Sequence, residues 1–104
     1  MDSQIKRGLL DAYVLANVSG HESYGYQIVK DAPPALELSE STLYPILRRL
    51  AKQGALGERT HEHNGRLRKY YAITDIGRKQ LSEFIKDAVA IEKIIAYIKE
   101  GAQK

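Results

Sequence analysis

Apolar residues recur at helical spacing through residues 4–18, at Ile5, Leu9, Ala12, Tyr13 and Ala16, with Leu10, Val14 and Val18 widening the stripe. This pattern predicts a first helix that is apolar over more than half its circumference and touches more than one neighbour. Ser19-Gly20-His21-Glu22 reads as a turn, and Ser23 as the N-cap of a short second helix to about Asp31, with Tyr24, Ile28 and Val29 on its core face. Pro33-Pro34 stops that helix, because neither proline donates a backbone hydrogen bond and the first keeps Ala32 out of helical geometry. A third helix runs to about Gln53 and ends at Gly54. Ser41 is the preferred cap and Ser39 the alternative. Capping by Ser41 puts Pro45 near the turn whose donors lack intrahelical partners anyway.

Two antiparallel strands are predicted over residues 55–60 and 68–73, joined by six or seven residues that include Asn64-Gly65, a pair suited to positive φ. Thr74 then caps a long last helix, with Asp75 in its first turn. Along it Leu81, Phe84, Ala88, Ile91, Ile95 and Ile98 follow steps of 3, 4, 3, 4 and 3, the rhythm of a coiled-coil seam, and Ile85, Val89 and Ile94 flank them. A chain of 104 residues has little surface of its own to cover so apolar a helix. A second copy is the simpler cover, with Leu9 and Tyr13 of the first helix as an additional docking surface.

At about 100° per residue, Leu43, Leu47, Leu50 and Ala51 form the buried side of the third helix, with Ile46 at the margin. Ser41, Thr42, Pro45, Arg48, Arg49 and Lys52 fall on the opposite arc, and Tyr44 lies between the two. Short hydroxyls come first and long cations later. That order suits a helix entering a major groove by its N-terminal end, with Ser and Thr at base edges and Arg and Lys at phosphates. Beside it the hairpin tip offers Asn64, Gly65, Arg66, Arg68 and Lys69, a basic loop able to cross a phosphate ridge.

Charge sharpens this picture. The net charge is +3, yet residues 44–80 hold 9 Lys/Arg against 3 Asp/Glu, whereas residues 1–43 hold 3 against 6 and residues 81–104 hold 4 of each. The positive excess sits on the candidate reading helix and hairpin, the footprint of a surface that meets a polyanion. The fold class is therefore mainly α with a small β-hairpin, a winged helix-turn-helix over residues 1–78 followed by a long C-terminal dimerisation helix over residues 79–104. Double-stranded DNA is the expected partner. The alternative is a winged-helix module for protein interaction or small-molecule sensing without specific DNA readout.

Other chemistries find little support. There is no cysteine, so disulfides, thiolate nucleophiles and Cys-ligated zinc are excluded. His61 and His63 share one face of a strand but have no clear third ligand, and no metal or cofactor is expected. No catalytic triad, paired-carboxylate site or phosphate-cradling loop can be assembled, so no enzyme is expected. No apolar run approaches the ~18 residues of a membrane span, and Asp2 precedes an amphipathic helix, unlike a signal peptide. A cytoplasmic location is expected.

Four linked motifs, spread over residues 5–85, resemble the PadR family of bacterial transcriptional regulators. They are Ser23-Tyr24-Gly25-Tyr26-Gln27-Ile28, the run from Leu38 through Ser39-Glu40-Ser41-Thr42-Leu43-Tyr44-Pro45 to Leu50, Gly65-Arg66-Leu67-Arg68-Lys69-Tyr70-Tyr71, and Ile73-Thr74-Asp75-Ile76-Gly77-Arg78. The single C-terminal helix is similar to that of the family's small subfamily. The resemblance implies a homodimeric repressor on an inverted-repeat operator, released by a small aromatic or planar effector near the dimer interface. It places Tyr24, Ser41, Thr42, Tyr44 and Arg48 at DNA from the helix-turn-helix, and Gly65, Arg66 and Lys69 from the wing. The chain departs from the family pattern at Leu67, where proline is frequent, and around Pro33-Pro34, where the connection is short. With no tryptophan present, Tyr13, Phe84 and Tyr97 are the aromatic candidates for an effector pocket.

Overall fold

Asp2 opens the first helix, its carboxylate accepting from the Gln4 amide at 2.9 Å, and α1 runs over Ser3–Asn17. In the computed structural model, which describes residues 1–104, there follow α2 (Gly25–Asp31), a single 3-10 turn (Pro34–Leu36), α3 (Glu40–Lys52), β1 (Leu56–His63), β2 (Arg66–Ile73) and α4 (Asp75–Ala102). This is a winged helix-turn-helix with a long C-terminal helix. Val14, Leu15 and Val18 meet Ile28 of α2, Leu43, Leu47 and Leu50 of α3, and Leu56 and Tyr71 of the hairpin in one core.

Ser39, not Ser41, caps α3: its Oγ accepts from the Thr42 amide at 3.3 Å, and its carbonyl takes the Leu43 amide at 2.9 Å. Pro45 thus lies inside the helix and withholds a donor from the Ser41 carbonyl. Ser41 is exposed, so its carbonyl is not sealed in the core and the helix tolerates the loss of one bond. The C-terminus closes as a Schellman turn. Gly54 takes φ +81°, its amide donates to Ala51 at 3.0 Å, and the Ala55 amide donates to Leu50 at 2.9 Å.

Ser23 is not the cap of α2 either. It forms an isolated antiparallel bridge with Tyr71, exchanging both backbone hydrogen bonds at 3.0 and 2.7 Å, and it is the one buried polar residue of the core. Tyr24 takes the cap position without a side-chain hydrogen bond. Backbone pairing to the edge of β2 outweighs the local capping preference.

The hairpin is longer than its sequence indicates. β1 and β2 pair from Leu56↔Ile73 out to His63↔Arg66, leaving only Asn64 and Gly65 as the turn, at φ +52° and +79°. Positive φ at both positions is the turn that matches the twist of a two-residue hairpin. Residues 61–66 carry no apolar side chain and are exposed, as is Leu67, which hides the strand signal, but the ladder forms because the turn sets its register.

Thr74 ties α4 to the turn that ends α3. Its hydroxyl donates to the Gly54 carbonyl at 2.5 Å and accepts from the Gly77 amide at 3.1 Å. α4 has 28 residues, about 42 Å at 1.5 Å per residue, and gives the protein extents of 61 × 26 × 20 Å. The radius of gyration is 15.9 Å, against about 13 Å for a compact domain of this length. Leu81 packs against the core, and Phe84 and Ala88 are half-buried. Beyond them Ile91, Ile95 and Ile98 are exposed, as are Ile85, Val89 and Ile94.

Candidate nucleic-acid interface

Three elements converge on one cleft of about 420 Å³, lined by Tyr24, Gly25 and Tyr26 from the start of α2, Tyr44 and Arg48 from α3, and Leu67, Arg68, Lys69 and Tyr71 from β2. The fold puts Tyr44 there by close contact, since a Cβ on Gly25 would come within 2.9 Å of the Tyr44 hydroxyl. Five sequence-predicted residues, Tyr24, Tyr44, Arg48, Arg68 and Lys69, therefore share one surface. It combines aromatic hydroxyls with guanidinium and ammonium groups, the set of donors that suits a phosphate backbone.

Ser41 and Thr42 stand at the N-terminal end of α3, where Ser39 Oγ lies 3.0 Å from Ser41 Oγ and 3.1 Å from Thr42 Oγ1. Lys52 is exposed one turn beyond Arg48, with which it borders a second, shallow depression. Asn64, Gly65 and Arg66 form the exposed wing tip. Lys69 lies 3.8 Å from Glu58, and Arg48, Lys52 and Arg66 hold no ion pair.

Arg49 is placed differently. Its guanidinium grips Asp11 of α1 through two hydrogen bonds of 2.6 and 3.0 Å, and this pairing raises its pKa further. It fastens α3 to α1 instead of joining the cleft.

The structure also reveals neighbours that the sequence does not announce. Arg68 stacks its guanidinium 4.0 Å over the Tyr24 ring, and Tyr24 meets Tyr70 edge-on at 5.6 Å. Arg59 lies 4.9 Å over Tyr70 and makes a bidentate pair with Glu22. That hydrogen bonding holds the Glu22 carboxyl below the usual carboxylate range. The usable signal was the alternation Glu22-Ser23-Tyr24 beside a buried Tyr71, but a single bridging residue is too short to read as a strand.

A separate apolar groove of about 500 Å³ runs between α1, the 3-10 turn and α4. It brings Leu9 and Tyr13 together with Leu81 and Phe84, whereas Tyr97 is 79% exposed far along α4. The hydroxyl of Tyr13 donates to the Ile28 carbonyl of α2 at 2.6 Å. No group of three or more His, Asp or Glu side chains is arranged to hold a metal. No helix is long and apolar enough to cross a membrane.

Comparison with known proteins agrees with this geometry. The model of the transcriptional regulator PadR-like family matches residues 14–83. The chain belongs to the PadR-like family. Among solved structures of similar fold, a protein of Streptococcus mutans UA159 is 44% identical, with 90% of this chain and 89% of that chain covered and a TM-score of 0.77. A PadR family transcriptional regulator from Eggerthella lenta DSM 2243 is 32% identical, covering 93% and 87% at a TM-score of 0.82. Bacillus subtilis PadR, solved in complex with operator DNA, is 26% identical over 74% of this chain and 46% of its own, at a TM-score of 0.68. This PadR-like chain is thus a transcriptional regulator by family, and the match covers the helix-turn-helix, the wing and the first turns of α4.

Proposed function

We propose that this PadR-like protein is a homodimeric, sequence-specific DNA-binding repressor. The observation that carries the reading is the convergence of Tyr24, Tyr44, Arg48, Arg68 and Lys69 on one cleft, with Ser41 and Thr42 exposed in the first turn of the same helix α3. The operator complex of the related Bacillus subtilis PadR supports it. In this reading residues 1–78 meet the duplex and residues 79–104 join two copies. Thr42 and Tyr44 read base edges or sugar, with Ser41 beside them. Arg48, Lys52, Arg66, Arg68 and Lys69 neutralise phosphates, with Asn64 and Gly65 shaping the tip that delivers them. Two reading helices then enter successive major grooves about 34 Å apart on an inverted repeat. Occupying a promoter in this way blocks transcription in the cytoplasm.

The exposed isoleucine seam of α4 supports the dimer, since an apolar strip of this length is rarely left to water. The apolar groove beside it, with Tyr13 and Phe84 in its wall, is the seat for a small planar effector whose binding releases DNA.

The test is selection of duplexes from a randomised pool, followed by titration of the enriched duplex at two salt concentrations against random competitor. Enrichment of an inverted repeat, with affinity that falls steeply with salt, is the expected result. Equal, weak binding to every duplex would overturn specific readout and favour a protein-interaction or sensing module.

A further inference from the structure

The Ser23–Tyr71 bridge has a geometric consequence. Side chains alternate along extended backbone, so when Ser23 and Tyr71 turn into the core, Glu22 and Tyr24 stand together on the outer face of the hairpin. The antiparallel register places Tyr24 opposite Tyr70 and Glu22 opposite Ala72, whose own partner on β1 is Gly57. Neither Ala72 nor Gly57 fills the space above the sheet. The Glu22 carboxylate reaches across them to the Arg59 fork on the far strand.

From there the contacts are continuous. Arg59 covers Tyr70, Tyr70 meets Tyr24, and Arg68 lies over Tyr24 at the edge of the DNA-facing cleft. Hairpins of two strands are marginal by themselves, and β1 buries only Leu56. The stack on the outer face therefore adds a side-chain restraint to the backbone ladder of the wing. We propose that Glu22 is a positioning residue for DNA binding: through Arg59, Tyr70 and Tyr24 it holds the wing so that Arg68 and Arg66 are aimed at the phosphate ridge.

This inference rests on the DNA-binding reading, and its sign sets it apart from simple electrostatics. Glu22 is an acid near a surface that meets a polyanion, so charge alone predicts that Glu22→Gln tightens binding to every duplex. A positioning role predicts the opposite for the specific duplex, because a wing freed of its anchor must be ordered at the moment of binding.

The experiment uses the full chain and the duplex recovered from the randomised pool. Glu22→Gln should bind that duplex about 3- to 10-fold more weakly, with no loss on random duplex. Amides of residues 60–69 in the free protein should exchange hydrogen faster than in the wild type. Arg59→Lys, which keeps the charge but loses the two-pronged pair with Glu22, should give the same two changes. Equal or tighter binding by Glu22→Gln with unchanged wing exchange overturns the inference alone. If the wild-type chain enriches no duplex, the DNA-binding reading fails and the inference falls with it. A melting temperature for each variant separates loss of wing order from loss of the fold.

Discussion

The backbone of Gly25 lies against the hydroxyl end of the Tyr44 ring: a Cβ there would sit 2.9 Å from the hydroxyl oxygen and 3.0 Å from a ring carbon. The first residue of α2 thereby sets where the aromatic side chain of α3 stands. Tyr44 is 41% exposed, so its ring can swing outward when crowded. Gly25→Ala should therefore cost little stability, within about 1 kcal/mol, yet weaken binding to the selected duplex and alter base preference near Tyr44. Parallel melting curves and duplex titrations separate the two effects. A large fall in melting temperature would show that the ring cannot move.

Gly77 offers the contrasting case. A Cβ at this position would overlap the Ala55 carbonyl oxygen and come within 2.8 Å of an Ile73 side-chain carbon. Backbone cannot yield as a side chain can, so Gly77→Ala should destabilise the fold by about 3 kcal/mol or more. Denaturant titration measures this directly. An unchanged midpoint would show that the start of α4 is free to shift away from the wing.

Arg48 and Arg49 are neighbours in sequence with different partners. Arg48→Ala should lower the slope of log affinity against log salt by about 1, the signature of one lost phosphate contact. Arg49→Ala should leave that slope unchanged and act on stability instead. A double-mutant cycle with Asp11→Ala should return a coupling of about 0.5–1 kcal/mol, modest because both side chains are partly solvated.

The seam of α4 predicts the assembly. Ile95→Glu places a charge in the middle of the exposed apolar strip and should give a folded monomer by sedimentation. Specific affinity should fall by about 100-fold or more, since two half-sites are then bound independently. A monomeric wild-type chain would remove the basis for the paired reading helices.

Alkaline pH should loosen the core. Burial raises the pKa of both Tyr13 and Tyr71 above the ordinary value of 10.0, with Asp31 adding to the effect at Tyr13 and Glu58 at Tyr71. The fold therefore favours the neutral phenols, and their contribution is complete below the unfolded-state pKa. It is lost as pH rises from about 10 through the folded-state values. Denaturation midpoints should accordingly fall between pH 9 and pH 11, and less so in Tyr13→Phe.

The helices were legible from sequence because their signals are local. The period of Leu43, Leu47 and Leu50 defines the buried face of α3 whatever packs against it, and Thr74 beside Asp75 marks the start of α4 without reference to anything distant. The same locality made the basic, hydroxyl-bearing face of α3 and the Asn64-Gly65 turn visible in the chain. Choices that depend on contacts between distant residues were not. Ser39 and Ser41 are equally good caps by type, and the packing of the whole helix selected Ser39. Ser23 has the chemistry of a cap, but pairing with Tyr71, 48 positions along the chain, turned it into an isolated bridge residue. That one bridge brought Glu22 to Arg59 and Tyr24 to Arg68, and the position of α1 took Arg49 for Asp11. Periodicity and capping report the nearest turn or two of chain, whereas ion pairs and strand bridges between remote segments exist only once the core has brought those segments together.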